Sequence, residues 1–145
     1  MNILVINGPN LNMLGEREEN HYGDFTLGSL EKLIKEKNHD TDFTFYQSNI
    51  EGEIVGIIQN APKKFDGILI NPGGYAHTSV AIRDALADCN LPKVEVHLSH
   101  LVNRESFRQN LITAAGCDGY ISGFKENSYL AGAFLLKLLI QKKEG

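Results

Sequence analysis

Short apolar runs recur along this chain, and segments with helical spacing lie between them. That alternation limits the possible fold more than any other feature. Ile3-Leu4-Val5-Ile6 is β-rich, apolar at every position, and ends in Asn7-Gly8-Pro9. Such a run suits a strand covered on both faces, as in a parallel sheet. Phe43-Thr44-Phe45-Tyr46, Gly67-Ile68-Leu69-Ile70-Asn71, Lys93-Val94-Glu95-Val96-His97 and Gly119-Tyr120-Ile121-Ser122-Gly123 read as further strands. Leu27, Leu30, Leu33 and Ile34 fall at helical spacing, with Thr26 as cap. Ile54, Val55, Ile57 and Ile58 mark a second helix that stops before Pro62. Thr78 to Asn90 reads as a third, with Val80, Ala81, Ala85 and Leu86 inward, and Leu130 to Ile140 as a last, strongly apolar one.

Strands alternating with helices imply a parallel sheet with right-handed crossovers. The 145 residues suit a single domain over 1–145. Five βα units in that length fit an open α/β sheet, because an eight-unit barrel needs about 250 residues. The expected fold is a flavodoxin-like three-layer sandwich with a five-stranded parallel sheet in the order 2-1-3-4-5. In such folds ligands sit beyond the carboxyl ends of the strands, near the switch in strand order.

Charge and cysteine usage narrow the class. A net charge of -4 argues against a nucleic-acid or anionic-membrane surface. The C-terminal apolar run is broken by Lys137 and Gln141, so no span is expected, and Met1 to Ile6 reads as a strand rather than a signal peptide. Cys89 and Cys117 stand apart without CxxC spacing, which suits structural thiols in a reduced, cytoplasmic protein. Lys142 to Gly145 reads as a frayed end.

The strand ends are unusually polar. Strand one runs into Asn7-Gly8-Pro9-Asn10, strand three into Asn71-Pro72-Gly73-Gly74-Tyr75-Ala76-His77, and strand four into His97-Leu98-Ser99-His100. From Asn7 to about Asp24 there is no strand or helix pattern, and a loop of that length is commonly functional. Its charged stretch, Gly15 to Gly23, reads as a solvated, mobile lid hinged at the two glycines. No GxxxxGK[ST], GxGxxG or GxSxG is present, so a P-loop, a dinucleotide fingerprint and a hydrolase elbow are excluded. Strand one lacks a hydroxyl-rich phosphate loop for flavin, and strand three ends in Asn71 where a receiver domain needs Asp. Glu95, His97 and His100 lie within six residues but lack zinc-site spacing, so no metal is assigned.

These segments together resemble the type II 3-dehydroquinate dehydratases. The resemblance is carried by Ile3 to Asn12, Leu14-Gly15, Arg17-Glu18, Tyr22-Gly23, Gln47-Ser48-Asn49, Glu51-Gly52-Glu53, Asn71 to Ala85, Val94 to Ser99, Arg104-Glu105 and Phe107-Arg108. It covers nearly the whole chain in one register. Three positions depart from the family pattern: Glu19 stands where Pro is usual, His100 where Asn is usual, and Ile50 where a polar residue is common. The Glu19 change is expected to loosen the lid.

The resemblance implies a cofactor-free lyase that removes water from 3-dehydroquinate through an enolate. That chemistry needs a base beside the ketone, a stabiliser for the enolate oxygen and an acid for the leaving hydroxyl. By resemblance Tyr22 is the base and Arg17 activates it. Only about one part in a thousand of a free tyrosine is phenolate at pH 7, and a guanidinium favours the anion. His97 matches the general acid and Asn10 the residue holding a water at the enolate oxygen. Glu95, on the same strand face as His97, is expected to orient or charge it. Asn71 with the backbone of Leu98 and Ser99 would hold the carboxylate region, and His77 and Arg108 the ring hydroxyls. Asp84 matches a residue supplied by a neighbouring subunit, and the family assembles as dodecamers, tetramers of trimers. Arg104 is left without a role beyond holding the lid. A flavin- or nucleotide-binding module and an interaction domain without chemistry are the competing readings.

Overall fold

The computed structural model describes residues 1–145. Five strands, β1 (Asn2–Asn7), β2 (Asp42–Gln47), β3 (Gly67–Asn71), β4 (Lys93–His97) and β5 (Gly119–Ser122), form one sheet in the order β2-β1-β3-β4-β5. Every pairing is parallel. The switch in order lies at β1, whose last residue, Asn7, is in register with Gln47 on one side and Asn71 on the other. The expected topology is therefore the observed one.

Alternation along the central strands divides the core between two faces. Ile3 and Val5 of β1 pack with Leu30 and Ile34 of α2 (Leu27–Glu36) and with Tyr129, Ala133, Leu136 and Ile140 of α5 (Glu126–Glu144). Leu4 and Ile6 pack instead with Ile54 and Ile58 of α3 (Glu51–Asn60) and with Ile82, Ala85 and Leu86 of α4 (Val80–Asp88). Each valine, leucine or isoleucine among them, fully removed from water, contributes about 1.5–3 kcal/mol. Thr26 caps α2 as its sequence suggests. Its hydroxyl accepts from Ser29 N–H at 3.1 Å, and the Ser29 hydroxyl accepts from Thr26 N–H at 3.0 Å.

Four sequence expectations are corrected. The β4–β5 connection contains no α-helix. It is built from 3-10 turns at Leu101–Asn103, Ser106–Gln109 and Thr113–Gly116. The segment lacks a 3.6-residue apolar stripe, and turn formers such as Asn103, Ser106, Asn110 and Gly116 interrupt it. On α4, Val80 and Ala81 are exposed and Ile82 points inward, because Ser79 caps the helix and sets its phase. The chain end is helical to Glu144, held by Lys143 Nζ donating to the Asn90 carbonyl at 2.6 Å.

The long first loop is also more ordered than its composition suggests. It holds a 3-10 turn at Leu11–Met13 and one helical turn, α1 (Glu19–Tyr22), between Gly15 and Gly23, which both take positive φ. Leu11 and Leu14 are buried in the α2/α5 core and pin the first half of the loop to it, while Asn10, Asn12 and Met13 stay exposed. Glu19 opens the helical turn, where proline is equally compatible and where an acidic side chain favours the positive helix end.

Candidate active site

A polar cleft opens beyond the carboxyl ends of β1, β3 and β4. Asn10, Arg17, Tyr22, Asn71, His77, His97, Leu98, Ser99 and Arg108, all singled out from the sequence, line it, and Arg104 joins them. Asp84 is absent from this lining and lies exposed on α4. His100 is likewise outside the cleft, beside Gly123.

Tyr22 is the focus of two cations. Arg17 Nη2 donates to its hydroxyl oxygen at 2.8 Å and Arg104 Nη1 at 2.7 Å. The Arg17 guanidinium also lies over the ring, 3.7 Å from its centroid. Arg17 comes from the same loop, whereas Arg104 is 82 residues away. Arg104 donates to Ser99 Oγ as well, at 3.2 Å, and its buried Nε has no hydrogen-bond partner. Two guanidiniums thus converge on one oxygen.

His97 is held from behind. Its Nε2 lies 2.7 Å from Glu95 Oε2, and Glu95 Oε1 accepts from the Thr113 hydroxyl at 2.5 Å. Glu95 and Thr113 are fully buried. The contact expected between Glu95 and His97 is present, and it leaves Nδ1 as the imidazole atom available to the cleft. The His77 ring lies 6.2 Å from that of His97, and its Nδ1 donates to the Asn110 carbonyl at 3.0 Å. Burial, with help from His97 and Arg108, holds the His77 imidazole below the usual histidine value, against the pull of Asn110 and Glu95.

The remaining wall is backbone and amide. Asn10 has positive φ (70°), and its N–H donates to Asn49 Oδ1 at 3.0 Å. Leu98 and Ser99 have no intrachain acceptor for their backbone N–H groups, which suits an anion cradle. Gly73, at φ +61°, passes close to Pro9, where a Cβ would meet the Pro9 carbonyl oxygen at 2.9 Å. No three His, Cys, Asp or Glu side chains converge in a metal-binding arrangement.

Sequence reasoning did not foresee Thr113, Asn49 or the place of Arg104 on Tyr22. Arg104 carried a signal in Arg104-Glu105, but its partner is set by the path of the β4–β5 connection. Thr113 carried none.

A doubly wound α/β sheet that gathers Tyr22 with its two arginines, two histidines and free backbone N–H groups in one cleft at its switch point defines the class of small-molecule α/β enzymes. The family model for class II dehydroquinases matches residues 1–137. The 3-dehydroquinate dehydratase of Fusobacterium nucleatum subsp. nucleatum is 50% identical over 141 residues, covering 94% of this chain and 96% of that protein. That of Carboxydothermus hydrogenoformans is 47% identical over 146 residues, covering 99% and 95%. The crystal structure of the type II dehydroquinase from Butyrivibrio crossotus superposes with a TM-score of 0.91 at 46% identity, covering 94% of this chain and 97% of that one. The chain belongs to the type II dehydroquinase family.

Proposed function

We propose that this cleft removes water from 3-dehydroquinate to give 3-dehydroshikimate, serving the shikimate pathway of aromatic amino acid biosynthesis or quinate breakdown. The observation that carries the mechanism is the pair of guanidiniums on the Tyr22 hydroxyl. Tyr22, as phenolate, takes the proton beside the ketone, and the electron pair moves onto the ketone oxygen. Asn10 holds a water against that enolate. The enolate then collapses, the C–O bond on the opposite face breaks, and His97 supplies the proton with which the hydroxyl leaves as water. Every atom of the elimination is accounted for by this acid–base pair, so no cofactor or metal is assigned.

Asn71 and the free backbone N–H groups of Leu98 and Ser99 hold the substrate carboxylate. His77 and Arg108 hold ring hydroxyls. Arg17 and Arg104 stabilise the phenolate, and Glu95 orients His97.

The single catalytic domain is proposed to act in a homo-oligomer, a dodecamer built as a tetramer of trimers, in which Asp84 completes a neighbour's cleft. Exposed large apolar side chains, among them Val80, Val102, Phe107, Phe124 and Phe134, support surface burial between copies. Unpaired Cys89 and Cys117 support a reducing, cytoplasmic setting. No helix is long and apolar enough to cross a membrane. Together with the net charge, that supports a small-molecule enzyme without nucleic-acid or membrane partners.

Purified protein mixed with 3-dehydroquinate and a chelator is expected to show rising ultraviolet absorbance from the conjugated enone. Tyr22→Phe is expected to lower that rate by about 10²–10⁴-fold while the variant stays folded. A folded Tyr22→Phe variant with unchanged turnover would remove Tyr22 as the base.

A further inference from the structure

Asn7 and Asn71 close β1 and β3 side by side in register, and a phenol from α5 sits between their amides. Tyr129 is fully buried. Its hydroxyl donates to Asn7 Oδ1 at 2.6 Å and accepts from Asn71 Nδ2 at 2.9 Å. On its other side the Asn71 amide oxygen accepts from Gly73 N–H at 3.0 Å.

These bonds have a fixed direction. A hydroxyl carries one proton, and Asn7 Oδ1 can only accept it. The Tyr129 oxygen therefore turns lone pairs toward Asn71, which must answer with its nitrogen. A flipped Asn71 would set its oxygen against those lone pairs and its NH₂ against the Gly73 N–H, losing both bonds. Burial raises the Tyr129 phenol well above its ordinary value, so the proton stays on the hydroxyl. The oriented amide keeps one N–H uncommitted, and Asn71 lines the cleft.

We propose that Tyr129 is a positioning residue for substrate binding: anchored by Asn7, its hydroxyl locks the Asn71 amide with a donor facing the substrate. The proposal rests on the reading of Asn71 as a substrate-holding residue. Tyr129 touches no substrate itself and is absent from the cleft lining. Its action is confined to which end of the Asn71 amide the substrate meets. It therefore belongs in KM rather than kcat, since the bond to Asn71 is present in ground and transition states alike.

The test is steady-state dehydration of 3-dehydroquinate by Tyr129→Phe, alone and combined with Asn71→Ala. Loss of an ordered donor to an anionic substrate is expected to raise KM about tenfold, with kcat within about twofold. In the Asn71→Ala background the Tyr129→Phe change is expected to add nothing to KM. A purely structural tyrosine would lower the melting temperature and leave KM alone, or would raise KM equally in both backgrounds. Either result overturns the proposal. Should Tyr129→Phe fail to fold, Asn7→Ala takes its place. Without its acceptor the hydroxyl can turn its proton toward Asn71, so the same KM rise and the same dependence on Asn71 are expected. Wild-type protein inert toward 3-dehydroquinate overturns the functional reading and this proposal with it. Active wild type with unchanged variants overturns this proposal alone.

Discussion

The Glu95 carboxylate receives a donor on each oxygen, His97 on one and Thr113 on the other. An amide in its place has only one accepting end. In Glu95→Gln either the imidazole meets an NH₂ and must change tautomer, or the Thr113 hydroxyl loses its acceptor. We expect kcat to fall by about 10²–10⁴-fold with the fold retained, as read by turnover and circular dichroism. The same buried corner gives the protein a dependence on acid. The His77 imidazole is held below its ordinary value of 6.5, first by burial. The unfolded chain therefore takes up this proton first as pH falls. The stability contributed by a neutral His77 is present above about pH 6.5 and lost as pH drops through the folded value. The urea midpoint is expected to fall as pH is lowered from about 7 to about 5, and to fall less in His77→Asn.

Helix α5 matters beyond its share of the core, because its close seat on the sheet brings Tyr129 to the ends of β1 and β3. Gly132, one turn further along, permits that seat. A Cβ there would meet Val96 Cγ1 at 2.6 Å and Leu69 Cδ1 at 2.8 Å. Val96 is β-branched and has little rotamer freedom with which to yield. Helix propensity alone would make Gly132→Ala stabilising by about 1 kcal/mol. Overpacking against the sheet is expected to reverse that sign, with a net loss of about 1–3 kcal/mol in urea unfolding. A stabilised variant would mean that the helix has slack to move away. The β4–β5 connection shows the opposite use of an element. Having no helical stripe to bury, it runs as 3-10 turns across the strand ends and delivers Arg104, Arg108 and Thr113 where a helix on the sheet face would carry them away.

One chain supplies every residue that lines its cleft, yet Asp84 is not among them and lies exposed on α4. If a neighbour's Asp84 completes each site, Tyr22→Phe and Asp84→Asn proteins, each nearly inactive alone, should regain activity when refolded together. Mixed assemblies would contain sites with Tyr22 from one copy and Asp84 from another. Light scattering on the same samples checks that they are oligomers, and mixtures no more active than their parents would exclude a shared site. Much of this architecture was legible in the chain. Strand runs apolar at every position demand cover on both faces, and helical stripes between them supply it, so the layers follow from local pattern and the strand order from the fold class they define. Tyr22 and Arg17 share a loop, and Glu95 and His97 share a strand face, so those pairs are set by local spacing. Other contacts span distances that no local pattern reports. Arg104 reaches Tyr22 over 82 residues, Tyr129 reaches Asn7 over 122, and Thr113 reaches Glu95 only through an irregular connection. The sequence by itself determined the layered sheet and the place of the cleft, because periodicity and short spacing act within one element, and its family resemblance named the candidate residues of that cleft. Only the tertiary structure decided which second cation meets the Tyr22 hydroxyl and which buried hydroxyls bond the Asn71 amide and the Glu95 carboxylate. A hydrogen bond depends on angstrom-scale approach, which packing sets and chain order does not.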